Sequence, residues 1–224
     1  MRDAPEVDFT GVATPLHLSR EMLSYFPRAL GEASFMLDLG CGAGMHRGVA
    51  ERSGFHYVGI DHDERSGANV LADAHALPFK DASFEFVLSI AVLEHIRFPL
   101  VMLHEARRVL RPGGKLIGTV SFLEPFHGDS YYHHTHLGAL NALEASGFRV
   151  ERIAPIVGWS ALLALANLAL FPRLPIRLAQ LLVLPLQVLH RLWWWLGGLL
   201  DTHATEEARL VLSAGAFTFI ATKP

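Results

Sequence analysis

Phe35-Met36-Leu37-Asp38-Leu39-Gly40-Cys41-Gly42-Ala43-Gly44 decides the fold of this 224-residue chain. Its first five residues, apolar but for Asp38, read as a strand covered on both faces. Three glycines at alternate positions then permit a tight strand-to-helix turn and let a ligand approach the backbone closely. The spacing is G-x-G-x-G, not the G-x-G-x-x-G of dinucleotide folds. Asp38 stands two residues before the first glycine. A carboxylate there repels phosphate and suits a cationic ligand. A second apolar stretch, 57–61, ends in Asp61, 21 residues after Gly40. An acid at that strand end can accept both ribose hydroxyls of a nucleoside in the crevice of an open sheet.

Further strands are expected over 69–72, 84–90 and 115–121, with a last one over 216–222. Between the fourth and fifth, 99–110 reads as a helix stopped by Arg111-Pro112-Gly113-Gly114. Residues 135–146 read as another, capped by Thr135. Residues 15–30 are read as a helix over the crevice or a plain packing helix. This alternation predicts a parallel sheet with crossover helices. The third strand ends at Asp73-Ala74, where an acid or backbone group can meet a nucleobase amino group, so three acids at consecutive strand ends describe one site.

A formal charge of -3 and a pI near 6.5 argue against a nucleic-acid partner. The single cysteine, Cys41, excludes an internal disulfide. The first residues carry no apolar leader core, so a cytoplasmic setting is expected. Hydrophobic residues make up 51% and the mean hydropathy is +0.29, but the excess is local. From Ile153 to Pro172 there is no charged residue, and apolar stretches continue around Arg173, Arg177 and Arg191 to a Trp193-Trp194-Trp195 cluster. Pro155 and Pro172 bracket the first run, and Pro175 and Pro185 are expected to break the rest. We therefore divide the chain into 1–152 with 210–224, a ligand-binding domain, and 153–209, a hydrophobic helical insert. Three readings of the insert compete: peripheral membrane contact through 153–200 at the inner face of the membrane, a lid for a lipid-like molecule, or a homodimer contact.

The chain resembles the class I S-adenosylmethionine-dependent methyltransferases, especially the group that includes ubiquinone- and menaquinone-type enzymes. The resemblance rests on Leu37–Gly44, Val58-Gly-Ile-Asp61, Asp73-Ala-His-Ala-Leu-Pro-Phe79, Phe84–Ser89, Leu93-Glu-His95 and Glu105–Lys115. It implies a Rossmann-like doubly wound seven-stranded α/β sheet with an antiparallel last strand, the insert falling between strands six and seven. It implies that S-adenosylmethionine is the cofactor. Asp38, Gly40, Cys41, Gly42 and Gly44 would wrap its methionine part, with Ser89 nearby. Asp61 and the adjacent His62 would hold the ribose, and Asp73 and Ala74 would flank the adenine. His95 would support the pocket. Methyl transfer to a small-molecule acceptor, hydrophobic or membrane-linked, is the implied activity. The alternatives are a nicotinamide-dependent oxidoreductase, disfavoured by the glycine spacing and Asp38, and a non-catalytic membrane-associated protein that keeps the fold.

Candidates for acid–base work lie after the fifth strand, in a stretch rich in histidine and tyrosine. His127 and His134 are read as acceptor-facing, with Asp129 as orienter; the competing reading is a polar loop that caps the next helix. The histidines show no recognised ligand spacing, so no metal is expected.

Overall fold

The computed structural model describes residues 7–15 and 17–224. Seven strands form one sheet: β1 (Phe35–Leu39), β2 (His56–Asp61), β3 (Val70–Leu71), β4 (Phe84–Ser89), β5 (Leu110–Ser121), β6 (Arg149–Pro155) and β7 (Ala216–Thr222), in the order β3-β2-β1-β4-β5-β7-β6. β1 to β5 are parallel, and β7 runs antiparallel to both β5 and β6. The helices are α1 (Arg20–Leu23), α2 (Arg47–Arg52), α3 (Pro99–Val109), α4 (His136–Ala145), α5 (Ala161–Leu165), α6 (Ile176–Gly198) and α7 (Glu206–Leu212). This is the Rossmann-like doubly wound α/β fold expected from the sequence, with its antiparallel last strand.

The two faces follow from side-chain alternation along the strands. Met36, Phe86, Leu88, Ile117 and Ile220 point to one side, where Met22, Phe26, Val49 and Ala50 cover them. Leu37, Val87, Leu116 and Phe219 point to the other, under Met102, Leu103, Ala139 and Leu143. Phe26 stacks edge-on against Phe86 at 5.0 Å, and burying each ring contributes about 1.5–3 kcal/mol. From β1 the chain winds outward to β3, then crosses back to β4 and β5 on the other flank. The strand order therefore reverses between β1 and β4, and the loops after β1, β2, β4 and β5 gather at that crevice.

Several boundaries differ from expectation. Only α1 forms within 15–30, where Leu16 lies outside the described residues. The Ser19 hydroxyl caps it by accepting from Met22 N–H at 3.0 Å, and Leu18, Met22 and Phe26 pack into the core rather than over the crevice. α3 ends at Val109, before the Arg-Pro-Gly-Gly stretch, which lies inside β5. There the register shifts between Phe84 and Phe86, with Gly113 at φ 77°. Thr135 does cap α4, its hydroxyl accepting from Gly138 N–H at 3.0 Å.

β6 runs on through Pro155 because Ile153 pairs with Phe219 and Pro155 with Phe217, so the insert starts at residue 156 rather than 153, and α7 carries it past 209. Pro185 does not break the insert: α6 runs through it, with the ring at an exposed position. Among the described residues no helix is long and apolar enough to cross a membrane. Ser121 pairs with Ala216 and Pro155 with Phe217, so the insert leaves and returns at the edge where β1, β2, β4 and β5 end.

Candidate active site

The glycine loop takes its shape from left-handed backbone. Gly40 and Gly42 have φ of 64° and 50°, and a side chain on Gly40 would strike Val92, whereas one on Gly42 would enter open space. Gly42 N–H donates to Asp61 Oδ2 at 2.9 Å, which fixes the loop to the end of β2. The second Asp61 oxygen accepts from Asp63 N–H at 3.0 Å, and exposed His62 stands beside it. Asp61 thus borders the loop with both oxygens aligned by backbone donors.

Asp38 is fully buried beneath the loop. Its Oδ2 accepts from Tyr57 O–H at 2.7 Å and from His46 Nδ1–H at 2.8 Å, while Oδ1 has no partner. His46 Nε2 in turn lies 2.7 Å from His17 Nε2. Burial and the neighbouring His46 lower the His17 pKa to about 4. Cys41 points away from the crevice into the core beside Tyr57, and burial raises its thiol to about 11, so it is unreactive. Ser89, at the end of β4, is buried with its hydroxyl unpartnered. The orphan oxygens of Asp38 and Ser89 are what a ligand-bearing site leaves when no ligand is present, since buried polar atoms otherwise find partners.

Asp73 and Ala74 follow β3. The Asp73 carboxylate accepts from His75 N–H at 2.9 Å and His75 Nδ1–H at 2.6 Å, bonds that hold its pKa below the usual carboxylate value. His75 Nε2 accepts from Phe98 N–H at 3.2 Å, which ties this loop to the start of α3.

Beyond β4 and β5 the structure assembles a second group. Glu94 is buried, and burial raises its pKa. Ser121 Oγ lies 2.7 Å from Glu94 Oε1 and 2.6 Å from Glu124 Oε2. One hydroxyl proton is thus shared between two carboxylates, and burial pushes Glu94 toward its protonated form. His127 Nδ1–H donates to Pro125 C=O at 2.9 Å, which leaves Nε2 as the basic nitrogen, 3.6 Å from Glu124 Oε2. Its ring stands edge-on to His95 at 5.3 Å. Trp159 Nε1–H, at the root of the insert, donates to Glu124 Oε1. Glu94, His95 and His127 also bring one potential ligand atom each within 4.8 Å of one another. That convergence joins segments far apart in the chain and has no signature in sequence spacing.

The sequence-predicted trio separates. His127 lies in this group, but Asp129 is exposed at φ 56° and makes no hydrogen bond to His127. The carboxylate beside His127 is Glu124 instead. His134 turns inward: its N–H donates to Ser121 C=O at 2.7 Å, its Nε2 is buried without a partner, and burial lowers its pKa. Glu94, Ser121, Glu124, Trp159, His46 and His17 were not singled out from sequence. Of these, Glu94 sat within Leu93-Glu94-His95 and Glu124 within the histidine-rich stretch after the fifth strand.

Residues 37–118 match the methyltransferase domain family. An uncharacterised methyltransferase of Mycolicibacterium gilvum is 34% identical over 122 residues, 49% of this chain and 48% of that protein. A ubiquinone biosynthesis O-methyltransferase of Cereibacter sphaeroides is 30% identical over 120 residues, covering 45% of this chain and 49% of the relative. The chain thus spans about half the length of the curated relatives it matches. A crystal structure of an S-adenosylmethionine-dependent methyltransferase from Mesorhizobium loti superposes with a TM-score of 0.54 at 16% identity, over 86% of this chain and 93% of that one, a likeness of fold. With the glycine loop, the strand-end acids and the sheet order in place, the chain is similar over residues 37–118 to the methyltransferase domain family and shares its fold with S-adenosylmethionine-dependent methyltransferases.

Proposed function

We propose that this chain is an enzyme that transfers a methyl group from S-adenosylmethionine to a small-molecule acceptor, hydrophobic or membrane-linked, that enters from the side of the insert, with the enzyme working in the cytoplasm at the inner membrane face. One observation carries the cofactor reading: the Gly40–Gly44 loop, Asp61 and the orphan Ser89 hydroxyl meet at the sheet's switch point. Asp61 offers carboxylate oxygens to ribose hydroxyls, and the buried Asp38 charge favours the cationic amino-acid end. Asp73 and Ala74 border the base. When bound, the cofactor supplies an electrophilic methyl on a sulfonium; the protein orients the reactants and excludes water, effects worth about 7–11 kcal/mol for well-positioned groups. The acceptor side is the Glu94–Ser121–Glu124–His127 group, which the insert overhangs through Trp159. His127 Nε2 accepts the proton of an acceptor that must lose one.

The test is calorimetric binding of S-adenosylhomocysteine. Micromolar affinity that weakens at least about tenfold in Asp61→Ala, about 1.4 kcal/mol, supports the reading. No binding by a folded wild type overturns it in favour of a non-catalytic protein with this fold.

A further inference from the structure

The insert's long helix is patterned inside out. The positions of α6 turned toward the protein are Ile176, Ala179, Val183, Gln187, His190, Trp194 and Gly197, spaced three and four apart. This seam is small or polar at several positions, and its polar side chains are served locally. Gln187 donates to Ser160 Oγ at 3.1 Å, and Trp194 Nε1–H donates to His190 Nε2 at 2.9 Å. Ala179 and Val183 pack against Leu163 and Ala166.

Every other position of α6 is exposed. Eleven carry large apolar side chains: Leu178, Leu181, Leu182, Leu184, Leu186, Val188, Leu189, Leu192, Trp193, Trp195 and Leu196, with Leu181 63% and Trp193 73% exposed. At helical pitch they fill an outward arc of about 200°, far wider than scattered surface leucines require. Arg177, Gln180 and Arg191 line one flank of that arc. Residues 153–200 contain three arginines and no aspartate or glutamate. A second copy brought against this face would add like charge to like charge. An anionic lipid surface would meet the arginines with phosphates, seat the tryptophans at headgroup level and bury the leucines.

We propose that α6 is a docking helix that lies flat on an anionic bilayer and holds the C-terminal edge of the sheet against it. The insert starts and ends at that edge, and Trp159 and Phe122, the latter through its N–H bond to Gly215 C=O at 2.8 Å, tie its root to the acceptor-side loop. The inference deepens the proposed function by naming the surface from which the acceptor is drawn, and it rests on that reading only for the acceptor.

The experiment is co-sedimentation of the full chain with vesicles of phosphatidylcholine containing phosphatidylglycerol, beside pure phosphatidylcholine, together with tryptophan emission. The expected result is binding to the anionic vesicles with a blue-shifted emission. Arg177→Gln and Arg191→Gln should each weaken it about fivefold. Leu181→Glu with Leu192→Glu should abolish it while circular dichroism and S-adenosylhomocysteine binding stay unchanged, because both positions are exposed. A chain that stays in the supernatant overturns the proposal. If light scattering then shows a dimer lost in the same double variant, the face belongs to a second copy. Should S-adenosylhomocysteine fail to bind while the vesicles do, the methyl-transfer reading falls and the docking helix stands.

Discussion

His17, His46 and Asp38 form a proton-counted chain that acid should weaken. His46 Nδ1–H donates to Asp38, so in the neutral ring Nε2 is an acceptor and His17 Nε2–H must supply the proton in the 2.7 Å contact. The two rings have room for one shared proton and resist a second charge. Burial, then His46, accordingly lower His17 from 6.5 to about 4. The sign follows from proton uptake. Between pH 6.5 and about 4 the unfolded chain takes a proton that the folded ring refuses, so stability is fully present above 6.5 and falls as the pH drops through this window. At about 1.36 kcal/mol per pH unit the ceiling is about 3.4 kcal/mol; the ring is only half-buried, and solvent screening reduces this to about 1–2 kcal/mol.

The perturbation is His17→Ala, and the assay is urea unfolding at pH 7.5 and 4.5. At pH 7.5 the variant should lose about 1 kcal/mol with the hydrogen bond. At pH 4.5 the gap should close or reverse, because only the wild type bears the penalty. Burial also lowers His95, His134 and His190, but these titrate in both proteins and cancel in the difference. A gap that stays constant across the two pH values refutes the reasoning and reduces His17 to an ordinary surface contact.

Three substitutions test the loop and the β4 end. Ser89→Ala removes a buried hydroxyl with no partner, so the ligand-free protein should be unchanged or up to about 1 kcal/mol more stable in thermal unfolding, while S-adenosylhomocysteine binds more weakly by calorimetry. Gly40→Ala combines left-handed backbone with a Cβ 2.6 Å from Val92 Cγ2 and should cost about 2–4 kcal/mol. Gly42→Ala, with open space around its Cβ, should cost only about 1–2 kcal/mol in the same unfolding assay.

The glycine loop and the acids at the strand ends were legible in the sequence because backbone geometry dictates residue type there. A strand buried on both faces must be apolar, a left-handed turn calls for glycine, and an acid at a strand end is placed by the sheet itself, as Asp61 is through Gly42. The group beyond β4 and β5 was legible only in His127, because Glu94 and Trp159 come from segments far from the Ser121–Glu124–His127 stretch. Within an irregular loop no period tells which of several histidines faces inward. Gly128 and Asp129 mark the left-handed turn after His127 but not which ring it aims inward, and the capture of His134 by β5 through its backbone has no sequence signature.

The insert fails the usual reading for a different reason. Amphipathic patterning assigns the apolar arc of a helix to the protein interior. In α6 the rule points the wrong way: Gln187, His190 and Gly197 face in, while Leu181, Leu189, Leu192 and Trp193 face out. The inward seam gains little from burial, so α6 is held by a few contacts around Ala179 and Val183 and by the roots of the insert at β6 and β7. An outward arc of this composition loses free energy in water and recovers it wherever its surroundings are apolar. The inversion thus places the missing half of this helix's packing outside the chain, beside the edge of the sheet from which the insert leaves and to which it returns.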